Sequence, residues 1–563
     1  MNTASQSNWA TAAPKSGFIR KVVPVSHSLK RWGAVLWVTL IVGFAAAHLM
    51  HLQADFPNQS PWSSDWAKYT DEGWYGNAAI RARLFGHWYL PGDFNPAPAV
   101  PVWPALEWLL FGVTGVSVTA ARALAGCFFL TDMALAYLLV RMQHSRWAAA
   151  LAVTLAVTSP FLYSFSRLAI LEPMLVCFLL TALNLAIRLP RMKHPVLMSS
   201  LIGLLYTLML LTKTSAAFLL PALAWAMLQS LRNQGILRWK CTASAALASA
   251  MSFAGWMAFV VHAQMLKDYR YLFYINKYPK PHAWYWPAVS FWWSLHGVLW
   301  ADRILLPLTG ILIIVLVMAW PTEWSRQLRQ DPVFGASFLS AAGYIFFMTY
   351  QNHPQPRYYT VVALFSFLVL ALGVEKLLNS RGAQAANHLS LRESRRHIAD
   401  ASGGGWALLL ALVVAVGVNA AWTYEYAARP QYTLLEAAQQ LTRYIDQHPN
   451  GNRMLLSISG DEITLLTHLP TLCDDFGTVD LPTKLAQYEP GWWATWNDID
   501  PGTLEDLHVH HSLEQVASFH AMDDPERNVL VLFKLHRLPE PREIEGANLQ
   551  QPLPGDRIDI PVQ

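Results

Sequence analysis

Four short polar clusters interrupt an otherwise apolar chain, and each carries a group able to bind phosphate or move a proton. TDEGWYGNAAI holds Asp71 and Glu72, SRLAILEP holds Arg167 and Glu172, LLTKTSA holds Lys213, and HPQPRYY holds His353, Arg357 and Tyr358. Arg and Lys neutralise a phosphate and stabilise the charge that grows on it as it leaves. A carboxylate takes the proton of an attacking hydroxyl. Asp71 is the expected base, with Glu72 orienting the acceptor or tuning Asp71. A phosphate leaving group needs less protonation than an alkoxide, so one base and several cations suffice for group transfer from a lipid phosphate. Each cluster also has a plainer reading. Thr70 can cap a short helix with Asp71 and Glu72 in its first turn. Arg167 can pair with Glu172, Lys213 can punctuate two helices, and Arg357 can reach to lipid headgroups.

The elements that must position these residues are membrane helices. The chain has 563 residues, 54% of them hydrophobic and 14% charged, whereas a soluble domain carries about 25% charged residues. Apolar runs recur from 32 to 424, which predicts a polytopic α-helical membrane protein. Eleven helices are expected, over 32–52, 118–140, 147–163, 170–187, 196–212, 214–231, 241–263, 298–320, 333–350, 357–378 and 406–424. The apolar stretch 100–116 reads as a re-entrant or interfacial helix. Basic residues set the orientation. Lys15, Arg20, Lys21, Lys30, Arg31, Arg141, Arg146, Arg188, Arg191, Lys193, Arg232, Arg238 and Lys240 gather on one side, with Arg326, Arg329, Lys376, Arg381, Arg392, Arg395 and Arg396. With that side cytoplasmic, the four clusters face the periplasm or cell exterior, as does the C-terminal segment. A charge inside a membrane helix costs about 2.5–3.5 kcal/mol and usually faces the bundle interior, so four such clusters on one side imply a shared cavity. The first helix follows a basic tail and reads as a retained anchor of an inner membrane protein.

Residues 1–31 read as a cytoplasmic tail and 32–424 as the membrane domain, with outer loops 53–117 and 264–297. The second loop is dense in Trp and Tyr, which suits an aromatic belt at the headgroup level or a platform for a lipid or sugar. The loop 379–405 is basic, ends in GGG and reads as a flexible linker. Residues 425–563 change character. LLEAAQQLTRYIDQH has helical spacing, RMLLSIS and NVLVLFKL read as strands, and a Pro-rich tail follows, so a soluble α/β domain is expected. From 425 onward 22 Asp and Glu stand against 9 Lys and Arg. The basic excess therefore lies in the membrane part, where it signals topology and gives no reason to invoke nucleic acid. The four cysteines, Cys127, Cys177, Cys241 and Cys473, form no CxxC pair, so neither a zinc site nor a disulfide framework is indicated. His508, His510 and His511 cluster, but on an acidic domain they read as surface. No internal repeat is visible, unlike many transporters.

The order of these motifs resembles that of the GT-C superfamily of polyprenyl-phosphate-sugar-dependent glycosyltransferases, across roughly residues 30–380. The lipid A aminoarabinose transferases and the bacterial protein O-mannosyltransferase relatives look most similar. The resemblance implies that the DE pair opens the first outer loop with Asp71 catalytic, followed by a Pro-rich segment and amphipathic helix matched by FNPAPAVPVWPALEWLLFG. It implies an R-x-x-x-x-[DE] element in Arg167 and Glu172, and a helix ending in T-K, GLLYTLMLLTK. Lys213, Arg167, Arg357 and Tyr358 become donor-phosphate residues, and Glu172, Asn95 and His353 belong to the substrate cavity. It implies inversion at the anomeric carbon, and a divalent cation (Mg or Mn) near Asp71 is chemically reasonable for two carboxylates and a phosphate. The aminoarabinose transferases carry E-K-P in the first loop where this chain reads N-P-A-P at Asn95, so the same sugar and acceptor are not implied.

The expected function is transfer of a sugar from a polyprenyl-phosphate donor to a hydroxyl or phosphate of a glycan, lipid or protein acceptor on the periplasmic side. The competing classes are a transporter or flippase of a lipid-linked sugar, and an assembly protein that binds through its outer domain.

Overall fold

The computed structural model describes residues 27–57, 65–275, 302–320, 322–350, 355–379, 391–458, 460–522 and 527–539. His353, the tail before residue 27, most of the aromatic loop 264–297, part of the loop 379–405 and the Pro-rich C-terminal tail lie outside the described residues. The described chain is mostly helical. It opens with α1 (His27–Ala47), α2 (Asp71–Phe85), α3 (Val102–Thr114), α4 (Val118–Arg141), α5 (Arg146–Val157), α6 (Pro160–Ser166), α7 (Glu172–Arg188) and α8 (Pro195–Thr212). There follow α9 (Leu220–Ser230), α10 (Ile236–His262), α11 (Leu266–Ile275), α12 (Leu305–Met318), α13 (Glu323–Gln330), α14 (Pro332–Tyr350), α15 (Tyr359–Asn379) and α16 (Leu391–Ala428).

Among the described residues six helical stretches are long and apolar enough to cross a membrane, or eight if each bent pair is one span. Eleven were expected, and the difference has a physical cause. A hydrocarbon core of about 30 Å asks for roughly 20 residues, and the helices at Arg31–Ala47, Thr214–Ser230 and Pro332–Met348 are shorter than that. The run 147–163 is broken. Its helix stops at Val157, Ser159 accepts the Leu162 N–H as a new cap, Pro160 opens the next helix, and the two halves bend by 66°. The remaining spans differ in depth. The span Pro356–Asn379, which contains α15, is 89% buried and forms the centre of the bundle, whereas α10 is 6% buried and lies at its edge against α8. Gly203 of α8 sits against the Ala245 backbone of α10, where a Cβ would come 2.1 Å from a carbonyl oxygen.

The stretch read as a loop between the first two spans contains α2 and α3. Asp71 and Glu72 occupy the first turn of α2, where the helix dipole favours them, and Gly86 ends it at φ 78°, a conformation glycine adopts without strain. Thr70 stands at the cap position but makes no capping bond; its hydroxyl bonds instead to the Trp66 carbonyl and to Asp71 Oδ1.

The C-terminal region holds α17 (Thr433–Gln447), β1 (Leu455–Ser457), α18 (Gly460–Thr467), β2 (Thr471–Cys473), α19 (Leu481–Tyr488), β3 (Trp492–Trp496), α20 (Pro501–His510), β4 (His511–His520) and β5 (Val529–Arg537). The five strands make one sheet in the order β2-β1-β3-β5-β4; β1 is parallel to β2 and β3, and the pairs β3–β5 and β5–β4 are antiparallel. The central strand WWATW is buried at all five positions, so it shows no alternation. This sheet region is bolted to α2 through α18. A Cβ on Gly73 would lie 2.0 Å from the Glu462 backbone nitrogen, and the Gly73 N–H donates to Glu462 Oε2 at 2.9 Å. Beside it Arg81 of α2 bonds Asp461 and Asp93 and donates to the Thr471 carbonyl at 3.0 Å, while Asn77 donates to Asp461.

Candidate active site

Asp71 lies on the wall of a cavity of about 780 Å³ between the helical bundle and the C-terminal sheet. Arg357 and Tyr358, in the tight turn that opens the span of α15, line the same cavity, with Trp66, Trp74, Tyr75, Phe94 and Gln355. Arg357 is held from two sides. Its Nη2 lies 2.8 Å from Asp71 Oδ2, and its Nη1 donates to Asp65 Oδ1 at 2.7 Å. Asp65 also accepts the backbone N–H of Arg357 at 2.7 Å and of Ala67 at 2.8 Å. Asp71 is 2% exposed and Arg357 6%, so both charges lie largely out of water and their pairing is correspondingly strong. Burial pushes the Asp71 carboxyl above its ordinary range, and the Arg357 guanidinium pulls the other way. The net effect is a stronger base than an ordinary aspartate.

Lys213, at the end of α8, pairs with Glu172 at the start of α7 and sits 4.4 Å from the centre of the Tyr358 ring. The Arg357 guanidinium lies 4.9 Å from the same ring. Tyr358, which lines the cavity, therefore lies between two cations, of which Arg357 lines it and Lys213 does not.

The other expected site residues are placed differently. Glu72 turns away from the cavity to Arg122 of α4, at 2.6 and 2.8 Å, and accepts the Ala169 N–H at 2.7 Å. Among the described residues Arg167 pairs with no carboxylate, and it bonds the carbonyls of Met50 and His51. It lines a separate cavity of about 110 Å³ with Asp55, Phe56 and Glu425. The four cationic and acidic clusters thus do not all meet in one chamber: the Arg167 side chain is drawn to the end of α1 by two carbonyls. The alternative pairing of Arg167 with Glu172 is also not formed, because Lys213 takes Glu172. Phe94 and Pro96 line the main cavity, but Asn95 between them is buried off its wall.

Asp65 and Arg122 were not singled out from the sequence, although each determines where a member of the DE pair points. Asp65 lies six residues before Asp71 in DWAKYTDE, an acidic residue ahead of a short helical turn, and that spacing was the available signal. A second set of carboxylates missed earlier, Asp474 and Asp475 after β2, lines the cavity from the sheet side. Among the described residues no group of three or more His, Cys, Asp or Glu is placed to hold a metal ion. The carboxylates around Asp71 do not fit a divalent cation as arranged, because Asp65 and Asp71 share Arg357 between them.

Comparison with known proteins adds the fold. Residues 96–262 match the family described as dolichyl-phosphate-mannose-protein mannosyltransferase. No curated protein matches the chain by sequence. The structure is similar to that of ArnT from Cupriavidus metallidurans bound to undecaprenyl phosphate, with TM-score 0.54 and 14% identity, over 89% of this chain and 98% of that one. The apo state of ArnT matches over the same shares, at TM-score 0.53. The archaeal oligosaccharyltransferase AglB from Archaeoglobus fulgidus, in complex with an inhibitory peptide and a dolichol-phosphate, matches at TM-score 0.50 and 12% identity, over 94% of this chain and 76% of that one. The chain thus has the fold of the ArnT and AglB structures, and its segment 96–262 matches the mannosyltransferase family.

Proposed function

We propose that the protein is an inner-membrane glycosyltransferase that moves a sugar from a polyprenyl-phosphate carrier to a hydroxyl of an acceptor on the periplasmic side. The observation that carries this reading is the Asp71–Arg357 pair, 2.8 Å apart on the wall of one large aromatic cavity. The fold supports it, since ArnT and AglB structures of this fold hold polyprenyl and dolichol phosphates.

The donor phosphate would approach Arg357 from the cavity and take over the ion pairing now given to Asp71. Asp65 keeps the guanidinium in place as this happens, because it holds both the side chain and the backbone N–H. Lys213 adds positive charge across the Tyr358 ring. Asp71, released from its partner and shielded from water, would take the acceptor proton as the oxygen attacks the anomeric carbon from the face opposite the phosphate. The bond from sugar to phosphate breaks with its electron pair on the phosphate, where Arg357 and Lys213 stabilise it. The product is inverted at that carbon. No step in this scheme is routed through a divalent cation. Arg167, Glu72 and Asn95 serve the architecture around the cavity.

The test is sugar transfer from a defined polyprenyl-phosphate-sugar donor by purified protein. Asp71→Asn is expected to lower the rate about 10²–10⁴-fold. A transporter would show no transfer in either form, and an assembly protein would be indifferent to Asp71.

A further inference from the structure

The wall facing Asp71 carries an excess of carboxylates that the transfer reaction does not use. Asp474, Asp475, Asp498 and Asp500 line the cavity from the C-terminal sheet. A second cavity of about 480 Å³ adjoins it, sharing Asp474, Asp475 and Asp500 and adding Asp480 and Asp506. The two form one elongated acidic cleft. Its cations are few and engaged: Arg527 pairs with Asp498 at 2.5 Å, Lys484 donates to the carbonyls of Cys473 and Phe476, and Arg357 is held by Asp65 and Asp71.

Several of the carboxylates have structural work. Asp480 and Asp500 cap helices, and Asp475 accepts from the Cys473 thiol at 3.0 Å. Asp474 is different. It is 5% exposed, its Oδ2 accepts the Trp493 indole N–H at 3.0 Å, and its Oδ1 has no hydrogen-bond partner among the described residues. A buried carboxylate oxygen left without a donor is unfavourable, so it calls for an incoming one. Burial, with the charge of Asp475 next to it, pushes the Asp474 carboxyl up to about 8, and a cationic donor would relieve that penalty. The aromatic rings of Trp74 and Phe476, which also line the cavity, suit a cation as well.

We propose that this cleft binds the acceptor, and that the acceptor is a polypeptide segment carrying Lys or Arg beside the hydroxyl that is modified. Asp474 and Asp475 take the cationic side chain, and the elongated cleft takes the extended chain on either side. An anionic glycan or lipid acceptor is disfavoured by the same charges. This inference rests on the transferase reading for what happens at the hydroxyl, but not for binding.

The experiment measures binding by the full-length protein in detergent. Its probes are a fluorescent serine peptide flanked by lysines, its glutamine-flanked analogue and its glutamate-flanked analogue. The lysine peptide is expected to bind about tenfold or more tightly than the glutamine peptide, with the glutamate peptide weakest, and Asp474→Asn with Asp475→Asn is expected to abolish that order. Binding of undecaprenyl phosphate, measured in parallel on the same variant, is expected to be unchanged and shows that the variant is folded. Equal binding of the three peptides, or retention of the order in the variant, overturns the proposal. Because the readout is binding, charge selection without sugar transfer would leave this inference standing and sink the transferase reading alone.

Discussion

Asp71 and Glu72 are consecutive, equally buried and each paired with an arginine, yet they belong to different parts of the molecule. Asp71 meets Arg357 on the cavity wall, while Glu72 meets Arg122 behind it. The environment of Arg122 is closed: its remaining donors go to the carbonyls of Leu52 and Ala54. That of Arg357 is open on one side to about 780 Å³ of cavity. The same chemical pair is a structural tie where every donor is matched and, in the proposed reaction, a reactive unit where one face opens on the cavity.

The contrast can be tested by exchanging activity for stability as the readout. Asp71→Asn is expected to remove about 10²–10⁴-fold of activity while the melting temperature moves by only a few degrees, roughly 1 kcal/mol for a chain of this size. Glu72→Ala is expected to do the reverse at first order. It strands a buried guanidinium and costs about 3–5 kcal/mol, seen as a large drop in melting temperature. Equal stability losses in the two variants would erase the distinction. Gly73→Ala sharpens it from the next position, since the added Cβ meets the Glu462 backbone at 2.0 Å. Overpacking of that kind costs about 1–3 kcal/mol, and limited proteolysis is expected to cut near α18 first.

The most gradual expected effect is a pH slope. Burial and the charge of Glu72 raise the Glu462 carboxyl from its ordinary 4.5 to about 8. A raised carboxyl favours the protonated form in the fold, so its contribution is full below about pH 4.5 and fades as pH rises through about 8. Melting temperature is expected to fall over that window, and Glu462→Gln should flatten the slope. A flat profile in the unaltered protein would show that α18 is not held to α2 through a neutral Glu462.

The sequence made some of this legible and hid the rest for definite reasons. Asp71, Lys213 and Arg357 stand out because a charge in an apolar chain needs a reason. The placement of the helix over 433–447 and the strand over 529–537 followed from periodicity. The direction of Glu72 was not readable, because consecutive residues on a helix point about 100° apart and no pattern says which one faces a cavity. Arg167 was misplaced for a related reason: a cation at a helix end can satisfy itself on carbonyls, and carbonyls leave no trace in a sequence. The buried strand WWATW lacks the alternation that marks a half-exposed strand. The Asp474–Asp475 pair gained meaning only when the chain brought it opposite α2.

Arg357 enters the cavity from the first turn of the most enclosed span in the bundle. A guanidinium mounted on the central pillar cannot follow a departing phosphate or swing out to meet one. In the proposed reaction the lipid headgroup would then have to travel to a stationary anchor, and loading and release would fall to whatever surrounds the pillar.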